Sequence, residues 1–347
     1  VANPFKPRTP SGVDLARLAH GLSPMLANGW TFSRSLETLS KQTIDRKIAA
    51  VLPIIAADIQ KGAAIGDAFL KHRSLLGPLF CRVMGLYDAA SGTFAELLNH
   101  LGDYYEKNEA FRDRIIQTIK YPALITIGSL GIILAMLVYF VPLMLNKVSS
   151  ASSNLPPVSN VIFHTVAWIA SHPQVEIGLV AALLLPATLA WYLNSILRPI
   201  GNLLAAIPLL SDLARREWLR RFSLALAALL SGGVALSKAL PVAAETIMGT
   251  PLYRTILAIE PFFPDTVAKL AAELRISANY SGLMSDFLND VQSRHNDADL
   301  CRKIAEFYQE EIETSLTAAS LIIEPVIIMT AGLTGAAILL ALHHRGG

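Results

Sequence analysis

Along much of the chain, apolar positions recur at intervals of three and four, the signature of helices that bury one face. Leu15, Leu18, Leu22, Met25 and Leu26 form the first such stripe. Ser11 with Asp14 reads as a capping box before it. Gly29 ends it, where a left-handed residue would satisfy the last carbonyls. Ile48, Leu52, Ile55 and Ile59 make a second stripe, stopped by Gly62. Thr93 and Glu96 form a further capping box. From there Leu97, Leu101, Tyr104, Asn108, Phe111, Ile115 and Ile119 predict one long helix. Strand-like alternation is nearly absent, so the predicted fold class is all-α.

Three stretches break the periodic pattern because they are apolar all round. Tyr121 to Leu145, Ile177 to Leu197 (interrupted by Pro186) and Pro325 to Leu342 carry no charged side chain. Roughly 20 apolar helical residues cross a 30 Å hydrocarbon core, so these predict three transmembrane helices. The composition agrees: 53% of residues are hydrophobic and 16% charged, where soluble domains carry about 25% charged. Arg112, Arg114 and Lys120 precede the first span and only Lys147 follows it, while Arg198 and four further arginines follow the second. Positive charge stays on the cytoplasmic side, which places the N-terminus inside. The expected organisation is a cytoplasmic helical domain over 1–120, a span over 121–145 and an outer loop with a short helix over 146–176. A return span over 177–197, a second cytoplasmic domain over 198–324 and a last span over 325–342 complete it. No charged leader precedes an apolar run at Val1–Phe5, so no signal peptide is expected.

The two cytoplasmic regions repeat one another. An offset of 204 pairs Leu18 with Phe222, Leu22 with Leu226, Leu26 with Leu230, Gly29 with Gly233 and Ser33 with Ser237. An offset of 203 pairs Leu97 with Leu300, Tyr104 with Phe307, Tyr105 with Tyr308 and Pro122 with Pro325. Between these blocks Ser91-Gly92 aligns with Ser281-Gly282 at a different offset, which implies a deletion and a compensating insertion. Matching Gly, Ser, Tyr and Pro in one order argues for tandem duplication more strongly than apolar matches do. The second span has no counterpart, and its role is to return the chain to the side of the first domain.

Candidate chemistry is sparse. A net charge of +2 without blocks of like charge argues against a nucleic-acid partner. No phosphate-binding Gly-rich loop is present; Ser231-Gly232-Gly233 reads as a helix end. Cys81 and Cys301 lie far apart and the eight histidines never take ligand spacing along a helix, so no metal and no cofactor is expected. The spans contain no aspartate pair, and Glu324 sits at a membrane edge, where a carboxylate is solvated or meets a partner. Arg215, Arg216, Arg220 and Arg221 form a basic run suited to anionic lipid head groups or to the acidic face of a motor protein. Residues 1–120 carry fifteen basic and eleven acidic side chains, and 198–324 twelve and fifteen. Two oppositely charged domains of like shape are expected to pair with each other or with a second copy.

Several motifs resemble the inner-membrane platform family of type II secretion and type IV pilus assembly (GspF/PilC). Gly29 with Leu36 is similar to its glycine-ended first helix, and Lys61 to Phe69, with Gly62 and Gly66, to its glycine turn and short helix. Ser91-Gly92-Thr93-Phe94 resembles its Ser-Gly elbow and Tyr104-Tyr105-Glu106 the segment that follows. Tyr121-Pro122 and Glu324-Pro325 resemble the openings of its first and last spans, and Leu155-Pro156-Pro157 its outer loop. The acid that usually precedes the elbow is replaced by Ala89 and Ala90, with Asp88 upstream, and Ser281-Gly282 lacks it too. These departures fit a divergent branch such as type IVb pili. The resemblance implies a non-enzymatic protein of the bacterial inner membrane, with no cofactor. It would bind a hexameric assembly ATPase, pilin or pseudopilin subunits, other inner-membrane assembly proteins, lipids and further copies of itself. Asp88, Glu96, Glu324 and the four arginines are the candidate contact residues. The alternative is a small transporter or permease subunit, which the lack of ionisable residues within the spans disfavours.

Overall fold

The computed structural model describes residues 12–43, 45–87, 93–135, 208–250, 253–254 and 298–343. Among the described residues regular structure is helical, with no strand. The helices are α1 (Gly12–Ala27), α2 (Phe32–Gln42), α3 (Arg46–Gln60), α4 (Ile65–Leu70), α5 (Arg73–Leu76), α6 (Pro78–Met84), α7 (Phe94–Ala135), α8 (Pro208–Ser231), α9 (Leu236–Ala244) and α10 (Ala298–His343). A 3₁₀ turn, Glu245–Ile247, follows α9.

The helix boundaries have local causes. Asp45 caps α3 by accepting from the backbone N–H groups of Lys47 (2.7 Å) and Ile48 (3.1 Å), two of the orphan donors at a helix start. At the end of α1, Gly29 N–H donates to Leu26 O and Trp30 N–H to Met25 O, both at 3.0 Å. Its φ is +79°, the left-handed conformation that this double closure requires. Gly233 closes α8 in the same way, with φ +77° and bonds to Leu230 O and Leu229 O from Gly233 N–H and Val234 N–H. The next helix starts three residues on in both places, at Phe32 and at Leu236. The turn is thus reproduced at the positions that an offset of 204 pairs. Gly62 ends α3 likewise, at φ +93°.

The chain divides into two compact units, Val1–Asp113 with Leu213–Ile312, and Arg114–Asp212 with Glu313–Gly347. In the first unit a single apolar cluster takes residues from both repeats. Leu22, Leu36, Ile48, Leu52, Ile55, Phe69, Phe80, Leu97 and Leu98 come from the first, and Phe222, Leu226, Leu240, Cys301 and Tyr308 from the second. Phe32 packs edge-on against Phe69 and Tyr87, and Phe69 tilts against Phe80. The expected stripes face this cluster: Leu15, Leu18, Leu22, Ile48, Leu52, Ile55, Leu97, Leu101 and Tyr104 are all buried. Gly66 of α4 lies against Gly85 after α6, where an added Cβ would come within 2.7 Å of the Gly85 Cα. Glycine here lets two backbones touch.

In the second unit the later parts of α7 and α10 are described. Both helices run unbroken through their prolines, Pro122 and Pro325, each of which removes one bond from the helical ladder. Arg114 Nη1 donates to both carboxylate oxygens of Glu313, at 3.1 and 3.3 Å. Beyond this pair large apolar side chains lie open, Leu124 at 70% and Leu321 at 68% exposure. Among the described residues no helix is long and apolar enough to cross a membrane. Of the three expected spans, 177–197 and the part of the first beyond Ala135 lie outside the described residues, as do most side chains of 325–342.

Candidate functional site

The four arginines singled out in the sequence sit on α8 and meet different surroundings. Arg215 is half-buried, and Arg216 reaches Glu311 of α10, with Nε 3.6 Å from Oε2. Arg220 turns inward and is 1% exposed. Its Nε donates to Glu217 Oε2 (2.7 Å), and its Nη2 to Asn108 Oδ1 of α7 (2.7 Å) and Glu217 Oε1 (3.1 Å). The guanidinium carbon lies 3.9 Å from the centroid of the Phe111 ring, so the cation is held by three acceptor oxygens and an aromatic face. Arg221 donates through Nε to Glu217 Oε1 and keeps part of its surface open. Arg220 therefore stands apart from the other three arginines: it faces the interior.

Glu217 is the centre of this group. Burial pushes its carboxyl up, but the hydrogen bond from Arg220 and the charge of Arg221 outweigh that and hold it below its ordinary value. Burial works against the charge on Arg221, and Glu217 again outweighs it, raising that guanidinium. The opposed signs describe one ion pair stabilised from both sides.

A second charged group joins the repeats. Glu245 of the 3₁₀ turn is 4% exposed, and its oxygens accept from Arg73 Nη2 (2.6 Å) and Arg82 Nε (3.0 Å). The positive side chains come from the first repeat and the acid from the second, the direction in which their charge balance differs. Neither cluster contains a nucleophile–base pair.

The remaining candidates fall in several places. Glu96 is exposed in the first turn of α7. Gly29, Gly62 and Gly233 form the helix-ending turns and Gly66 the close contact. Asp88, Ser91, Gly92, Ser281 and Gly282 lie outside the described residues, as does the side chain of Glu324. The aromatic pair before Glu106 is structural: Tyr104 is buried, and Tyr105 stacks tilted on Phe80 with ring centroids 6.3 Å apart. Burial raises both phenols. His20 of α1 approaches Asp103 (3.7 Å) and Glu106 (3.4 Å) on α7, and these three offer ligand atoms within 4.8 Å of one another. Spacing along a single helix cannot register such a cluster, because its members come from two helices.

Asn108, Glu217 and Glu245 were not among the candidates, although the sequence marks each. Asn108 interrupts an apolar stripe. Glu217 stands three and four residues before Arg220 and Arg221, the spacing of helical ion pairs. Glu245 follows an apolar helix that would bury it.

Residues 18–142 match the family model for Type II secretion system (T2SS), protein F. Over 96% of its length the chain is 26% identical to the type IV pilus assembly protein PilC of Thermus thermophilus, covering 81% of that protein. It is 21% identical to PilC of Myxococcus xanthus over 92% of its length, covering 76% of that protein. The type II secretion system protein F of Pseudomonas aeruginosa is 23% identical over 68% of this chain and 58% of its own length. Residues 18–142, the part that carries the first glycine-closed turn, thus match a type II secretion system protein F domain, and along almost its whole length the chain is similar to PilC proteins of type IV pilus assembly.

Proposed function

We propose that this chain is the inner-membrane platform protein of a filament-assembly machine. It binds the cytoplasmic assembly ATPase and couples its work to insertion of pilin into a type IV pilus or pseudopilin into a secretion filament. The observation that carries the reading is similarity along almost the whole chain to type IV pilus assembly proteins, which also favours a pilus over a secretion filament. Three spans, at 121–145, 177–197 and 325–342, anchor it with the N-terminus in the cytoplasm. Supporting this, α7 continues unbroken past Tyr121 to Ala135 and α10 past Pro325 to His343. Their open Leu124, Leu321, Ile328 and Met329 side chains suit lipid far better than water. The first unit is the cytoplasmic part, and its surface charges, with Glu96, Arg216 and Arg221 among them, are the contacts offered to the ATPase and to lipid head groups. Asp88, Arg215 and Glu324 remain candidates on the same reading; Arg220 serves the interior.

The test is affinity purification of the full chain from native membranes under mild crosslinking, followed by mass spectrometry. Co-recovery of an assembly ATPase and a pilin, with the ATPase reduced by Glu96→Lys and Arg221→Glu, supports the proposal. Recovery of transporter subunits in place of both overturns it.

A further inference from the structure

Two polar joints, each closing on one buried charge (Glu245 in one, Arg220 in the other), tie the second repeat to the first, and they share no residue. One sets Glu245, after α9, between Arg73 of α5 and Arg82 of α6. The other seats Arg220 of α8 on Asn108 and Phe111 of α7. A third contact is steric: Gly232, at the end of α8, lies against Leu97 of α7, where an added Cβ would come within 2.8 Å of the Leu97 Cα.

These joints do something that the apolar cluster around them does not. Apolar helix faces repack with modest loss when they slip, because their attraction is non-directional. A buried charge adds little net stability over apolar residues of the same shape, since desolvation offsets the attraction of its partners, yet those partners satisfy it in one geometry only. A single joint leaves rotation about itself, two leave only rotation about the line through them, and the close Gly232–Leu97 contact opposes that. From this arrangement we infer that the Arg73–Glu245–Arg82 and Asn108–Arg220–Phe111 joints form a register lock, which holds the second repeat at one fixed position on the first so that the two move as one body. A displacement delivered to the first repeat then reaches the second without flexing between them. The lock is a property of this chain alone and stands or falls independently of the platform reading.

The experiment is a pulsed dipolar distance measurement on the full chain, with nitroxide labels on cysteines replacing Lys41 of α2 and Lys238 of α9, both exposed. Both native cysteines are buried, and burial pushes the Cys81 thiol up to about 12, so the introduced thiols react first. The otherwise native chain gives one narrow distance. Removing both joints while Glu217 keeps its pair with Arg221 (Arg73→Leu, Arg82→Leu, Glu245→Leu, Asn108→Leu and Arg220→Met) preserves helical circular dichroism but broadens or splits the distance. If that variant loses its helical signal, charge reversal decides. Glu245→Arg loses the single distance, and adding Arg73→Glu and Arg82→Glu restores it. A broad distribution in the native chain, or a narrow and unshifted one in the folded joint-free variant or in Glu245→Arg, overturns the inference.

Discussion

Arg220 and Glu217 show how one side chain's surroundings change its meaning. Replacing Arg220 by Ala leaves Asn108 without its partner and opens space beside Phe111. Losing one member of a buried charge pair costs about 3–5 kcal/mol, and denaturant unfolding of Arg220→Ala is expected to show a loss of that order. Arg220→Lys recovers only part of it, since an ammonium cannot reproduce the fork that meets three acceptor oxygens. The depressed Glu217 carboxyl has a signed consequence. Its contribution to stability is complete above the ordinary value of 4.5 and is lost as pH falls through the lower folded value. Glu217→Gln should therefore flatten the acid side of the stability–pH profile in that window and lower stability near neutrality. The glycines divide by mechanism. Gly29 has open space around it but a positive φ, so Gly29→Ala costs about 1–2 kcal/mol from backbone strain alone. Gly66→Ala meets the Gly85 backbone, and overpacking of that kind costs about 1–3 kcal/mol. Gly66→Ala combined with Gly29→Ala, whose added methyl groups share no neighbour, should be additive in thermal or denaturant unfolding.

At the scale of helices, the period of the apolar positions was sufficient for α1, α3 and α7, because each presents one stripe to a single core. The short helices α4, α5 and α6 are too brief for a period to emerge; turns and the Gly66–Gly85 contact hold them. The α7 stripe also shows where local reading stops. Its positions face the core as far as Phe111, whereas Ile119 is exposed, because the first unit ends at Asp113 while the apolar spacing continues. Charge balance hinted that the repeats would meet, and Arg73 and Arg82 on Glu245 have that polarity. Which arginines, and that Arg220 would turn inward, depended on contacts more than a hundred residues apart that no local pattern carries. A check at this scale is Gly232→Ala, which forces α8 from α7. It should increase hydrogen exchange in the first turns of α7 and the last of α8, leaving α2 and α3 protected.

For the whole molecule, the main consequence is that the described residues within 1–113 and 213–312 share one core. A fragment confined to 1–120 leaves that core half-built, so it should bind an apolar dye and melt with lower cooperativity than the full chain. The most direct test of the platform account is made in the cell. The chain is removed from its own bacterium and filaments are quantified by electron microscopy, with pilin measured separately in membrane and sheared fractions. The account predicts that filaments disappear, that pilin stays in the membrane, and that the intact chain restores assembly. Filaments at an unchanged level, with pilin in the sheared fraction as before, would contradict it.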